Sequence, residues 1–120
     1  MAERSDEELI RCYVAAYNRH DIEDVMACFD DEPLLIDMQG TRHAGREAVT
    51  RRYELEFATC PDGHCEIRRI ASHRAGGVIE SVFTGTSNSS RRSITAIGTE
   101  VIECAGGRIR EIRDYHRLVR

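Results

Sequence analysis

An α+β fold follows from the order of two patterns. Three segments with helical apolar spacing come first, and a run of strand-like segments joined by glycine-rich turns follows. The mid-strand glycines Gly85 and Gly98 add strong curvature, because a missing side chain permits bulges and sharp bends. A strongly curved antiparallel sheet with three N-terminal helices on its concave side forms a cone-shaped barrel, and an incompletely filled cone encloses a pocket.

Ser5 and Glu8 form a capping-box pair ahead of Leu9, Ile10, Tyr13, Val14, Ala16 and Tyr17, which predicts a first helix from about Asp6 to Arg19. Asp21 caps a shorter helix whose Ile22, Val25, Met26 and Phe29 follow helical spacing, and Asp30, Asp31, Glu32 and Pro33 stop it. Leu34 to Asp37 reads as a brief buried strand ending in a carboxylate. Gly40 breaks it, and a third helix from Gly45 to about Ala58 presents Ala48, Val49, Tyr53 and Phe57 on one face. Strands are then expected at Cys65–His73, Val78–Thr86, Arg92–Cys104 and Arg108–Leu118, with turns at Ala75–Gly77 and Ala105–Gly107.

A chain of 120 residues is a single domain, spanning 1–120, large enough to bury a core without a staple. Seventeen basic against twenty-one acidic residues, with no basic run, argue against nucleic acid and anionic membrane as partners. No apolar segment reaches the roughly 20 residues that span a bilayer, and the acidic start MAERSDEEL is unlike a signal peptide, so the expected location is cytoplasmic. The five cysteines are odd in number and irregularly spaced, which fits reduced thiols. Cys60, His64 and Cys65 are the one metal-like grouping, without a second ligand pair; neither metal nor cofactor is expected.

Asp37 is the leading candidate for chemistry. Desolvation by Leu35, Ile36 and Met38 would raise its pKa toward neutrality, whereas a nearby Arg42 would lower it. The plainer use of Asp37 is a turn carboxylate capping the amides of Gln39 to Thr41. Asp114 and His116 share one face of the last strand by their two-residue separation. The arginines at 108, 110, 113, 117 and 120 alternate with Glu111 and Asp114, a pattern of cross-strand charge pairs on a solvated or dimer-facing strand. The expected pocket lining is Phe29, Ile79, Ser81, Phe83, Ile97, Thr99, Val101, Ile112, Asp114 and His116, with Thr95, Ile97, Thr99 and Val101 as the inward set of the third long strand.

The first helix, the N-R-H-D-I-E-D-V junction, the F-D-D-E-P turn, the G-R-E-A-V helix start and the G-G-R-I-R-E-I-R-D-Y final strand together resemble the nuclear transport factor two-like superfamily over essentially the whole chain. That resemblance implies a cone-shaped α+β barrel, often a homodimer through the outer face of its sheet, and includes ketosteroid isomerase and SnoaL-type polyketide cyclases. Among site residues the likeness is to ketosteroid isomerase, itself a familiar case of pKa tuning. It implies Asp37 as the base, Tyr13 as an oxyanion donor and Tyr53 as its support. Phe29 stands in place of a further tyrosine, and Thr99 where a protonated aspartic acid is implied. Arg117 occupies the position of an epoxide hydrolase carboxylate. The implied activity is a cofactor-independent isomerase removing a proton next to a carbonyl of a small or medium apolar substrate. The alternatives are a SnoaL-like cyclase or dehydratase using Asp114 and His116, or a non-catalytic binder of a small hydrophobic molecule.

Overall fold

A computed structural model describes residues 5–119. Helix α1 (Asp6–Asn18) starts on the capping box: Ser5 Oγ accepts from the Glu8 amide at 3.1 Å and the Glu8 carboxylate accepts from the Ser5 amide at 3.4 Å. Helix α2 (Ile22–Ala27) is capped by Asp21, which accepts from the Asp24 amide. Helix α3 (Arg46–Thr59) has no side-chain cap; it starts at Gly45, whose φ of 91° lies in the left-handed region that glycine adopts freely. The Arg46 guanidinium donates to the carbonyls of Met26, Phe29 and Asp30, tying the start of α3 to the end of α2.

Seven strands form one curved, unclosed sheet: β1 (Phe29–Ile36), β2 (Arg42–Ala44), β3 (His64–His73), β4 (Gly76–Thr86), β5 (Ser93–Ala105), β6 (Arg108–Asp114) and β7 (Arg117–Leu118). Their order is β2-β1-β6-β5-β4-β3, and β7 also pairs with β5. The α+β class and the helix-lined cone agree with the sequence reading, while four details differ, the first being β2, where no strand is expected. Phe29 opens β1 rather than ending α2, and the strand runs through Asp30–Pro33, where a register shift between Phe29 and Leu34 takes up the misfit. One pairing is parallel, β1 with β6, joining Leu35 to Ile112. The expected last strand breaks at Tyr115 and His116 into β6 and β7.

Helix α1 packs on β3 and β4, and α3 on β1 and β2. Between helices and sheet lies a core that includes Ile10, Val25, Phe29, Val49, Ile79, Ile102, Ile109 and Ile112, all fully buried. On the outer face of the sheet Arg113 bridges Glu103 and Glu111, the cross-strand charge pairing its alternation predicted. No helix among the described residues is long and apolar enough to cross a membrane.

Candidate functional site

The concave face of the sheet and helices α1 and α3 enclose a cavity with about 680 Å3 of empty space, including its open mouth. Helix α1 contributes Tyr13, Val14 and Tyr17; the end of β1 contributes Leu35, Asp37 and Met38; α3 contributes Arg52, Tyr53 and Glu56. The sheet adds Cys65, Phe83, Ala96, Glu100, Asp114 and His116.

Helical spacing puts Tyr13 and Tyr17 one turn apart on α1, and α3 brings Tyr53 to meet them. The Tyr13 and Tyr53 hydroxyls are 2.5 Å apart, and the Tyr13 ring packs edge-on against Phe29. Burial, with the charge of Glu100 next, pushes both hydroxyls well above the usual phenol range, so both are neutral donors.

Asp37 behaves differently from its expectation. Burial alone would raise its pKa, but its hydrogen bonds and Arg52 outweigh burial and hold the carboxyl below its usual range. His43 Nε2 lies 2.9 Å from Oδ2, and Oδ1 accepts the amides of Thr41 at 3.0 Å and Gln39 at 2.9 Å. Arg42 is exposed and Arg52 stands nearer, 3.8 Å away. Asp37 therefore lines the cavity as a capped, ionised turn carboxylate.

The opposite wall holds a pair of carboxyl groups. Glu100 and Asp114 are direct partners across β5 and β6. Desolvation, with the charge of Asp114 next, pushes Glu100 up to about 8, so it is a neutral acid at pH 7. Asp114 is bound by His116: Oδ1 lies 2.6 Å from Nδ1 and accepts the His116 amide at 2.9 Å. On the far side of the ring, His116 Nε2 lies 2.8 Å from Ser81 Oγ. Burial pulls the His116 pKa down, but the hydrogen bond and charge of Asp114, the charge of Glu100 and Ser81 more than offset it, and the net direction is up. The ring thus bridges Asp114 and Ser81, with its protonated form favoured over that of a free imidazole. Gly98 makes this possible: a Cβ there would stand 2.4 Å from the Tyr115 carbonyl oxygen and 2.6 Å from the His116 Cα.

A third polar group spans the mouth. Tyr17 donates to Glu56 at 3.0 Å, and the Arg52 guanidinium sits between Glu56, at 3.5 Å, and Asp37. Burial, only partly countered by Arg52, raises the Glu56 pKa.

Of the expected site residues, Asp37, Tyr13, Tyr53, Phe83, Asp114 and His116 line the cavity. Phe29, Ile79 and Ile112 instead lie beneath it in the core, and Ser81 is buried behind His116. Ile97, Thr99 and Val101 are corrected to the outer face. Ile79, Ser81 and Phe83 pair with Glu100, Gly98 and Ala96, so the inward set of β5 is one residue out of step with the expected one. The acid absent at Thr99 is thus supplied by Glu100. Arg52 and Glu56 were also missed, although Val49, Arg52, Tyr53 and Glu56 form an i, i+3, i+4, i+7 stripe on α3. Cys60 and Cys65 are buried free thiols, and no group of three or more His, Cys, Asp or Glu side chains among the described residues is placed to hold a metal ion.

A search of curated proteins finds no sequence match. Solved structures share the fold at low identity. A protein of ketosteroid isomerase-like fold from Catenulispora acidiphila, in complex with trimethylamine, has a TM-score of 0.82 at 16% identity, covering 91% of this chain and 85% of that one. A proposed SnoaL-like polyketide cyclase from a Jannaschia species has a TM-score of 0.78 at 13% identity, covering 98% and 91%. IdmH, a proposed polyketide cyclase from Streptomyces antibioticus, has a TM-score of 0.80 at 17% identity, covering 96% and 92%. The sequence profile of the SnoaL-like domain matches residues 10–112. With that profile over most of its length and a helix-lined cone around one polar cavity, the chain belongs to the SnoaL-like domain family of the nuclear transport factor two-like superfamily.

Proposed function

We propose that this protein is a cofactor-independent acid–base enzyme that removes a proton next to the carbonyl of a small or medium substrate, as an isomerase or a cyclase does. The observation that supports this reading is the Glu100–Asp114 pair in one cavity, an acid whose pKa is pushed up to about 8 directly across from a carboxyl group hydrogen-bonded to His116. Asp114 takes the proton and the electron pair moves to the carbonyl oxygen. That enolate oxygen accepts hydrogen bonds from Glu100 and from Tyr13, which Tyr53 supports. Return of the proton to another carbon gives isomerisation, and attack of the enolate on a second electrophilic carbon gives ring closure. A cytoplasmic homodimer belongs to the same proposal, formed by the outer face of the sheet, where Ile97, Thr99 and Val101 are half-buried and Tyr115 is 59% exposed.

A second reading keeps Asp37 as the base, favoured by its place in the cavity with the Tyr13–Tyr53 pair. Its three hydrogen bonds and the charge of Arg52 argue against this, because a carboxylate held below its usual range is a weak base. Deuterium uptake at the carbon next to the carbonyl, followed by NMR over a panel of enones, β,γ-unsaturated ketones and small polyketide mimics, separates the readings. Asp114→Asn is expected to cut uptake at least about 100-fold and Tyr13→Phe about 100- to 1000-fold, with Asp37→Asn affecting it much less. A large loss in Asp37→Asn with Asp114→Asn near wild type would transfer the role of base to Asp37.

A further inference from the structure

Arg52 lines the cavity with its hydrogen-bonding capacity largely unused. Its two carboxylate neighbours stand at 3.8 Å and 3.5 Å, neither contact closes a hydrogen bond, and the buried Nε, the atom facing Glu56, makes none. Asp37 already accepts from Gln39, Thr41 and His43, and Glu56 from Tyr17, so Arg52 lends both carboxyls its charge without closing a hydrogen bond to either. The side chain is 22% exposed and lines the cavity on one side and an adjoining groove on the other. A guanidinium with open donors in a partly buried wall matches a planar oxyanion that takes two parallel N–H bonds. Hydration of the outer N–H groups, with the charge serving Asp37 and Glu56, is the plainer use, but it leaves a guanidinium in the cavity wall with its buried hydrogen-bonding capacity unmet.

We infer that Arg52 binds the carboxylate of the ligand, so that the cavity takes a small oxo acid: its carboxylate at the mouth on Arg52, its carbon skeleton against Leu35, Met38 and Phe83, and its carbonyl toward Glu100 and Asp114. This placement rests on the proposed reaction only for the direction of the carbonyl; the carboxylate subsite stands on Arg52 alone. It narrows the ligand from an apolar carbonyl compound to one that carries an anionic end.

The test uses 4-oxo-4-phenylbutanoate and its primary amide, which have nearly the same shape and differ in charge. Their affinities are measured by calorimetry on the full chain, with deuterium uptake next to the ketone read in parallel. Wild type is expected to bind the carboxylate at least about tenfold more tightly than the amide. Arg52→Gln should bring the two to near parity, and Arg52→Lys, which keeps the charge but not the fork, should fall between. Circular dichroism checks the fold of each variant; if Arg52→Gln unfolds, the Arg52→Lys ratio and the wild-type preference decide. Equal binding of acid and amide by wild type, no binding of either, or a preference that survives Arg52→Gln overturns the inference. A carboxylate preference that depends on Arg52 but comes without deuterium uptake supports the subsite and counts against the proposed reaction alone.

Discussion

Replacing Glu100 by Gln keeps the size and the neutral form of the side chain and removes only its titration. In the unfolded chain this carboxyl titrates near 4.5, whereas in the cavity its pKa is pushed up to about 8. A group that holds its proton more tightly when folded contributes its full stability below the unfolded value. That contribution is lost as pH rises toward the folded value, and the loss is constant above it. At about 1.4 kcal/mol per pH unit the ceiling on the loss is ~5 kcal/mol. The carboxyl lines an open cavity, and solvent screening there brings the expected figure to ~2 kcal/mol. Urea unfolding of wild type and Glu100→Gln at pH 5 and pH 9 reads it out. The variant should gain ~2 kcal/mol on wild type between those two pH values, since titrations common to both proteins cancel in the difference. Profiles that stay parallel from pH 5 to pH 9 would show that Glu100 is ionised in the folded protein, and the neutral-donor role assigned to it would fall.

Two further outcomes are expected. Gly98→Ala puts a methyl group 2.4 Å from the Tyr115 carbonyl oxygen, so β5 and the Tyr115–His116 segment must separate. We expect a loss of ~2–4 kcal/mol in urea unfolding, and a cost under ~1 kcal/mol would show that the close approach is not required. Sedimentation at micromolar concentration should give the mass of a homodimer, and a monomer mass would remove the outer sheet face as an interface.

The parts of the site read correctly from the sequence are those that depend on local geometry. Tyr13 and Tyr53 belong to apolar stripes set by the 3.6-residue period, and Asp114 and His116 share a face through the two-residue period of a strand. Glu100 was out of reach for a non-local reason. Its face is fixed by how β5 pairs with β4, where Ile79, Ser81 and Phe83 meet Glu100, Gly98 and Ala96. The alternation of Thr95, Ile97, Thr99 and Val101 looked inward because the outer face of this sheet is also partly apolar. For Asp37, the capping amides of Gln39 and Thr41 were visible in the turn. The histidine that completes the set was not, because His43 reaches Asp37 through the short pairing of β2 with β1.

The parallel pairing of β1 with β6 ties the first third of the chain to its last long strand, and this governs the order of assembly. Leu35 has no partner on that side until Ile112 has been made and delivered, so the closing contact spans a long loop and carries its entropy cost. The helices and the β3–β4–β5 meander can form from neighbouring segments, but the cavity cannot. Tyr13 and Asp37 enter it from one end of that loop, and Asp114 and His116 from the other. The acidic pair and the tyrosine donors therefore face each other only after the last long-range closure, and until then the buried carboxyl of Glu100 remains hydrated like any other.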